Sequence, residues 1–137
     1  MTARAAALAA MLLVSMPALH AQTIQVSRLD TGADGVTRFS DEEIPWSGRA
    51  GTRTELFPAE QIGFLRLLAG SRTDWHPAPR KQYVMVLEGT MEVEAGDGER
   101  RTFEAGSVLL VTDIEGRGHR TNVLSEEDVF LVWVPVP

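Results

Sequence analysis

Two histidines, His76 and His119, are the residues of this chain best equipped to do chemistry. Histidine is the side chain whose ordinary pKa lets it act as base or acid near neutral pH. Around them stand groups that bind rather than react. Gln82 offers an amide and Tyr83 a phenol, while Arg80 or Arg120 can hold a carboxylate in bidentate fashion. Asp74 and Asp113 bring carboxylates. The chain has no cysteine, which excludes disulfides and a Cys nucleophile and limits any metal to nitrogen and oxygen ligands. No serine sits in a nucleophile elbow. There is no phosphate loop and no dinucleotide fingerprint. The formal charge of −6 argues against attraction to nucleic acid or an anionic membrane.

The elements that must position these groups read as strands. After Gln22 no stretch keeps a helical apolar period, and short apolar runs alternate with turn signals instead. The runs are 23–29, 62–69, 83–87, 91–95, 100–103, 107–112, 119–123 and 129–134. Gly32 to Gly35, Gly96-Asp97-Gly98 and Ala105-Gly106 are turns, and Glu126-Glu127 falls in another. Residues 41–60 are polar and carry Pro45, Gly48, Gly51 and Pro58. They read as a loop or covering arm, with Trp46 and Phe57 pinning it to the body. Trp46 would close a cavity mouth or serve as a plain anchor. Strands this short and evenly punctuated suggest an all-β sandwich or barrel. In a strand, residues two apart share a face, so His76, Ala78 and Gln82 can line one wall. Val84 and Val86 continue that face inward. Trp75, of opposite parity, is expected outside it. Pro77 and Pro79 cannot donate ladder hydrogen bonds, which puts their segment at a rim. Met85, Met91 and Trp133 read as core.

The N-terminus is different in kind. Residues 1–21 hold 16 apolar residues, with Arg4 as their only charge. A basic start, an apolar run from Ala5 to Val14, Pro17 and the small-residue end at Ala21 have the order of a cleaved export signal. The expected domains are therefore a signal peptide at 1–21 and a single domain at 22–137. His20 leaves with the signal. The mature chain is about 38% apolar and is expected to be periplasmic or secreted, with no membrane attachment after cleavage.

Residues 70–122 carry a family pattern. Gly70, five residues, His76, one residue, Ala78, three residues, Gln82, six residues and Gly89 resemble the first motif of the cupin superfamily. That motif has a second His where Ala78 stands and a Glu where Gln82 stands. Gly106, the loop Asp113–Gly118, His119 and Asn122 resemble the second motif, with Thr112 in place of its Pro and Asn122 one position early. The 16 residues between Gly89 and Gly106 match the short spacer of small bacterial cupins.

The resemblance implies a cupin-type double-stranded β-helix, a jelly-roll barrel, pairing as a homodimer. It also implies metal ligands, three His and one Glu holding Fe, Mn, Ni, Cu or Zn. This chain keeps His76 and His119 and has Gln82 for the carboxylate, so its set His76, Gln82, His119 is weak for a divalent ion. Asp74 or Asp113 could restore a carboxylate, or Asp113 could orient His119 through a hydrogen bond. Without metal, His76 and His119 would exchange protons, with Gln82, Tyr83, Arg80 and Asp113 holding the substrate. The expected function is an exported cupin binding a small oxygenated metabolite such as a sugar acid, an aromatic or a dicarbonyl. It would act as an isomerase, lyase or dioxygenase, metal-assisted or His-dependent. The alternative is a non-catalytic binding or sensing protein.

Overall fold

The computed structural model describes residues 23–47 and 52–137. The expected signal at 1–21 lies outside the described residues, as do Gly48 and Gly51. Nine strands form two facing sheets, and no helix occurs among the described residues. The strands are β1 (Thr23–Thr31), β2 (Thr37–Pro45), β3 (Gly63–Leu67), β4 (Gln82–Glu88), β5 (Thr90–Glu94), β6 (Arg100–Glu104), β7 (Val108–Val111), β8 (Arg120–Val123) and β9 (Val129–Pro135). The larger sheet has the order β2-β1-β7-β4-β9-β3 and the smaller β6-β5-β8. This is the expected all-β jelly roll.

Alternation explains the packing. In β5, Met91 and Val93 point inward and are buried, while Glu92 and Glu94 point out. Glu94 lies directly across from Arg100 on one side and Arg120 on the other. Their guanidiniums are 3.2 and 2.7 Å away and hold the Glu94 carboxyl below its usual range. Across the interior, Leu29, Val84, Val86, Leu109, Val111 and Leu131 of the large sheet face Met91, Val93 and Phe103 of the small one.

One strand was not expected. The arm read at 41–60 begins inside β2, which pairs with β1 over nine residues. β2 is an edge strand whose Asp41, Glu42 and Glu43 replace the apolar alternation that reveals other strands. Charge on an edge blocks pairing with other chains. Arg28 and Glu42 bond across this hairpin at 2.7 Å, and Gln25 donates to Glu43 at 2.9 Å. Of the described part of the arm, residues 54–59 lie on the outer face of the large sheet. They border a groove there with Ile24, Tyr83, Met85, Val108 and Val134, and Phe57 stacks 6.1 Å from Tyr83. Met85 therefore sits on the outer face and not in the core. Trp46 is 42% exposed and does not line the central cavity, so it closes no mouth.

Trp133 sits opposite Gly63 in the β3–β9 pair. A Cβ on Gly63 would fall 1.8 Å from the indole nitrogen, so the ring occupies the space that a side chain would need. Gly63→Ala is expected to destabilise the fold by about 1–3 kcal/mol through overpacking. Urea unfolding would measure it, and an unchanged midpoint would show that the indole moves aside freely.

Candidate functional site

The site is built where an irregular segment zips onto the loop before β8 and onto β8 itself. Residues 71–78 run antiparallel to 113–123 without forming a regular strand. Val123 N–H donates to Ser71 O at 2.9 Å, and Thr73 and Thr121 exchange bonds of 2.9 and 2.8 Å. His76 and His119 then form a reciprocal pair, each N–H donating to the other's carbonyl at 3.0 Å. Ala78 N–H closes the seam onto Asp113 O at 2.9 Å. Pro77 and Pro79 end regular pairing here, as expected for a rim.

Gly118 makes this approach possible. Its φ is +76°, and a Cβ would lie 2.0 Å from His76 O. Both the left-handed backbone and the contact demand glycine.

The paired backbone sets the two imidazoles side by side, with ring centroids 4.7 Å apart and planes at 59°. Each ring has its Nδ1 committed. His76 Nδ1 lies 3.0 Å from Pro77 O, and because a carbonyl only accepts, Nδ1 carries the proton. His119 Nδ1 lies 2.7 Å from Asp113 Oδ2. In the neutral rings both Nε2 atoms are thereby left as acceptors. Asp113 is 0% exposed, and Thr37 of β2 donates to its Oδ2 at 3.4 Å. Asp113 Oδ1 has no partner. A carboxylate buried this deeply is costly unless paired, and His119 is the partner it has. Asp113 thus stands behind His119 and is not among the residues lining the cavity, where a substrate-holding group would be.

His76 and His119 open onto a cavity of about 140 Å³ between the sheets. Gln82, at the start of β4, lines it and is 9% exposed. Its Oε1 is buried and has no partner. Thr73 and Thr121 complete the polar lining, and the remaining walls are Leu, Val and Met side chains. Thr121 was legible in sequence, two residues beyond His119 on the same face. Thr73 was not, because its parity is opposite to that of His76.

Other expected binding groups lie elsewhere. Tyr83 alternates with Gln82 and so faces the outer groove, where burial and Glu42 push its phenol pKa up. Arg80 is exposed and lies over the Trp133 ring, 5.7 Å from its centroid. Arg120 pairs with Glu94 on the small sheet's outer face. Asp74 is exposed and does not line the cavity. Trp75 packs outside, as expected, with Arg117 3.8 Å and Arg120 5.0 Å from its ring centroid.

Residues 63–135 match the profile of the cupin domain, which is over half of the chain. No curated protein matches. Among solved structures, protein NMB1881 of Neisseria meningitidis is 25% identical, with 56% of this chain and 72% of that one covered and a TM-score of 0.45. A cupin 2 conserved barrel domain protein of Salinispora arenicola is 22% identical, covering 53% and 60%, with a TM-score of 0.42. A protein of unknown function from Rhizobium leguminosarum is 19% identical, covering 86% and 84%, with a TM-score of 0.46. Across several such neighbours the matched part spans only 60 to 65% of the other chain.

Gly118→Ala is expected to separate the two histidine backbones and to cost about 2 kcal/mol or more, since a strained φ and a backbone clash add. Thermal unfolding with amide exchange at His76 and His119 would read both effects. Full protection of both amides in the variant would show that the seam does not need glycine.

Proposed function

The chain belongs to the cupin domain family, and on that footing we propose that its barrel takes in a small oxygenated molecule and moves a proton on it through His119. The observation that carries this reading is the 2.7 Å bond from His119 Nδ1 to the fully buried Asp113, behind a ring that lines the cavity. Asp113 fixes the tautomer that turns the Nε2 lone pair inward, and it stabilises the imidazolium formed when that atom accepts a proton. His76, held by Pro77 O, offers a second acceptor beside it. Gln82 orients the substrate through its amide. The reaction class that fits is proton transfer next to a carbonyl or enol, as in an isomerase or lyase.

The family's usual metal is tested by the donor set. Ala78, 3% exposed within the core, stands where a further His ligand would be. Among the described residues no three His, Asp or Glu side chains are grouped to share an ion. His76, His119 and Gln82 supply two neutral nitrogens and one neutral oxygen, and Asp113 is turned onto Nδ1 of His119. These residues do not fit a resident divalent ion, which calls for an anionic ligand or a fuller set. An added Fe, Mn, Ni, Cu or Zn ion would bind on those three weakly. Dialysis against a strong chelator is expected to leave the melting temperature unchanged. A full equivalent of metal that survives dialysis would overturn this.

Proton transfer is tested by deuterium uptake from heavy water at the α-carbon of small cyclic ketones and dicarbonyls. The chain is expected to speed uptake on a substrate it accepts, and His119→Gln to lose about 10²–10⁴-fold. Asp113→Asn should fall between the two. If His119→Gln retains the full rate, His119 is not the base. If ligands bind and no exchange follows, the barrel is a binding or sensing site without catalysis, a role its apolar walls serve equally well.

Two further inferences complete the reading. The order of residues 1–21 supports export, hence a periplasmic or secreted site of action. The outer face of the large sheet is apolar where polar residues are usual, with Met85, Val108 and Val134 along the groove. A second copy of the chain would cover it. Sedimentation is expected to show a dimer and Met85→Glu a monomer, whereas a monomeric parent chain would rule the pairing out.

A further inference from the structure

We infer that the ligand of this cavity is an uncharged phenol or enol, a single ring or a body of similar size with its acidic hydroxyl turned toward His119. This rests on the proposed reading that the barrel interior is the binding site.

Size sets the first limit. A cavity of about 140 Å³ is close to the ~150 Å³ apolar cavity that takes up benzene. It holds about six to eight non-hydrogen atoms on that comparison. Charge sets the second. No Lys, Arg, Asp or Glu lines the space, so a carboxylate or phosphate would be buried without a counter-charge. The sugar acids expected from sequence are therefore disfavoured by charge. Polarity sets the third. Nine of the lining residues are apolar, and the polar ones cluster on residues 73–76, residues 119–121 and Gln82. A sugar, with hydroxyls all round, would leave most of them unpaired against Leu29, Leu109 or Val111.

Hydrogen-bond sense sets the last. With both Nδ1 atoms donating, neutral His76 and His119 present acceptors at Nε2. Gln82 Oε1 is a third acceptor, buried and without a partner. A ligand hydroxyl can donate to these acceptors and accept in turn from the Thr73 or Thr121 hydroxyl or the Gln82 amide. An ether leaves the imidazole acceptors without a donor, whereas a hydroxyl supplies one. An acidic hydroxyl does more. Its proton can pass to His119 Nε2, leaving an oxyanion beside an imidazolium whose charge Asp113 balances. One O–H bond breaks and one N–H bond forms, and no oxidant is needed.

The test uses four probes on the full chain: phenol, anisole, benzoate and glucose. Binding is followed by calorimetry, and occupancy by the NMR shifts of the Val84 and Leu109 methyl groups, which line the cavity. Phenol is expected to shift both methyls and to bind about tenfold more tightly than anisole, the worth of one buried acceptor satisfied. Benzoate and glucose should leave the methyls unmoved. Gln82→Leu should narrow the gap between phenol and anisole, since the leucine demands no donor. Anisole binding as tightly as phenol, with the methyls shifted, would overturn the hydroxyl requirement and leave the barrel reading intact. Benzoate or glucose in the cavity would do the same to the charge and polarity limits. Phenol binding without methyl shifts would overturn the barrel reading itself. If none of the four binds, the ligand class is wrong, while proton transfer still stands or falls by deuterium uptake.

Discussion

The molecule depends on the reciprocal backbone pair between His76 and His119. Residues 71–78 cannot form an ordinary strand, because Pro77 and Pro79 lack the N–H groups that a ladder needs. What ties this segment to the barrel is the seam with 113–123, and the two 3.0 Å bonds at the histidines lie near its middle. Each such bond contributes only about 1 kcal/mol net. Their larger effect is geometric. They fix two Cα positions directly across from each other, so both rings leave the backbone on the same side of the seam. Chemistry and closure thus share one constraint, and Gly118 is the residue that permits it.

A second constraint is electrostatic and reaches across the chain. Asp113 is buried beyond the reach of water and carries one unpaired oxygen. Such a group is tolerated because His119 and Thr37 hold its other oxygen. Thr37 comes from β2, 76 residues away in sequence. The acidic edge strand is therefore part of the site's support, though none of its side chains lines the cavity. The jelly roll brings this about by placing β1 beside β7, so that the β1–β2 hairpin comes to rest next to the loop that leaves β7.

Much of this was legible in sequence. His76 and Gln82 share strand parity, the family resemblance added His119, and the structure puts all three on one cavity. Eight strands announced themselves as short runs between turn signals. β2 did not, because an edge strand protected by charge has the composition of a loop. Tyr83 was grouped with the site by nearness in sequence, but strand alternation turns neighbours to opposite faces, and Gln82 had already taken the inner one. Arg80 and Arg120 were grouped with it by chemical aptitude. Their chains instead find Trp133 and Glu94, partners distant in sequence that no local spacing reveals.

The substitutions at the two missing ligand positions have a common physical consequence. Where the family pattern has an imidazole, Ala78 packs within the core around the cavity. Where it has a carboxylate, Gln82 is neutral. Replacing an imidazole by a methyl removes ring volume that would otherwise compete with a ligand for interior space. Replacing the carboxylate removes the charge that would repel an oxyanion and attract a cation. Metal affinity and room for an apolar guest are therefore opposed in this barrel, because both draw on the same few side chains. With the acid gone from the first layer, the one buried carboxylate left at the site acts from behind His119. There it holds the His119 ring in place, where the family pattern would anchor an ion. A floor of two imidazoles, two threonines and a neutral amide under aliphatic walls is the outcome.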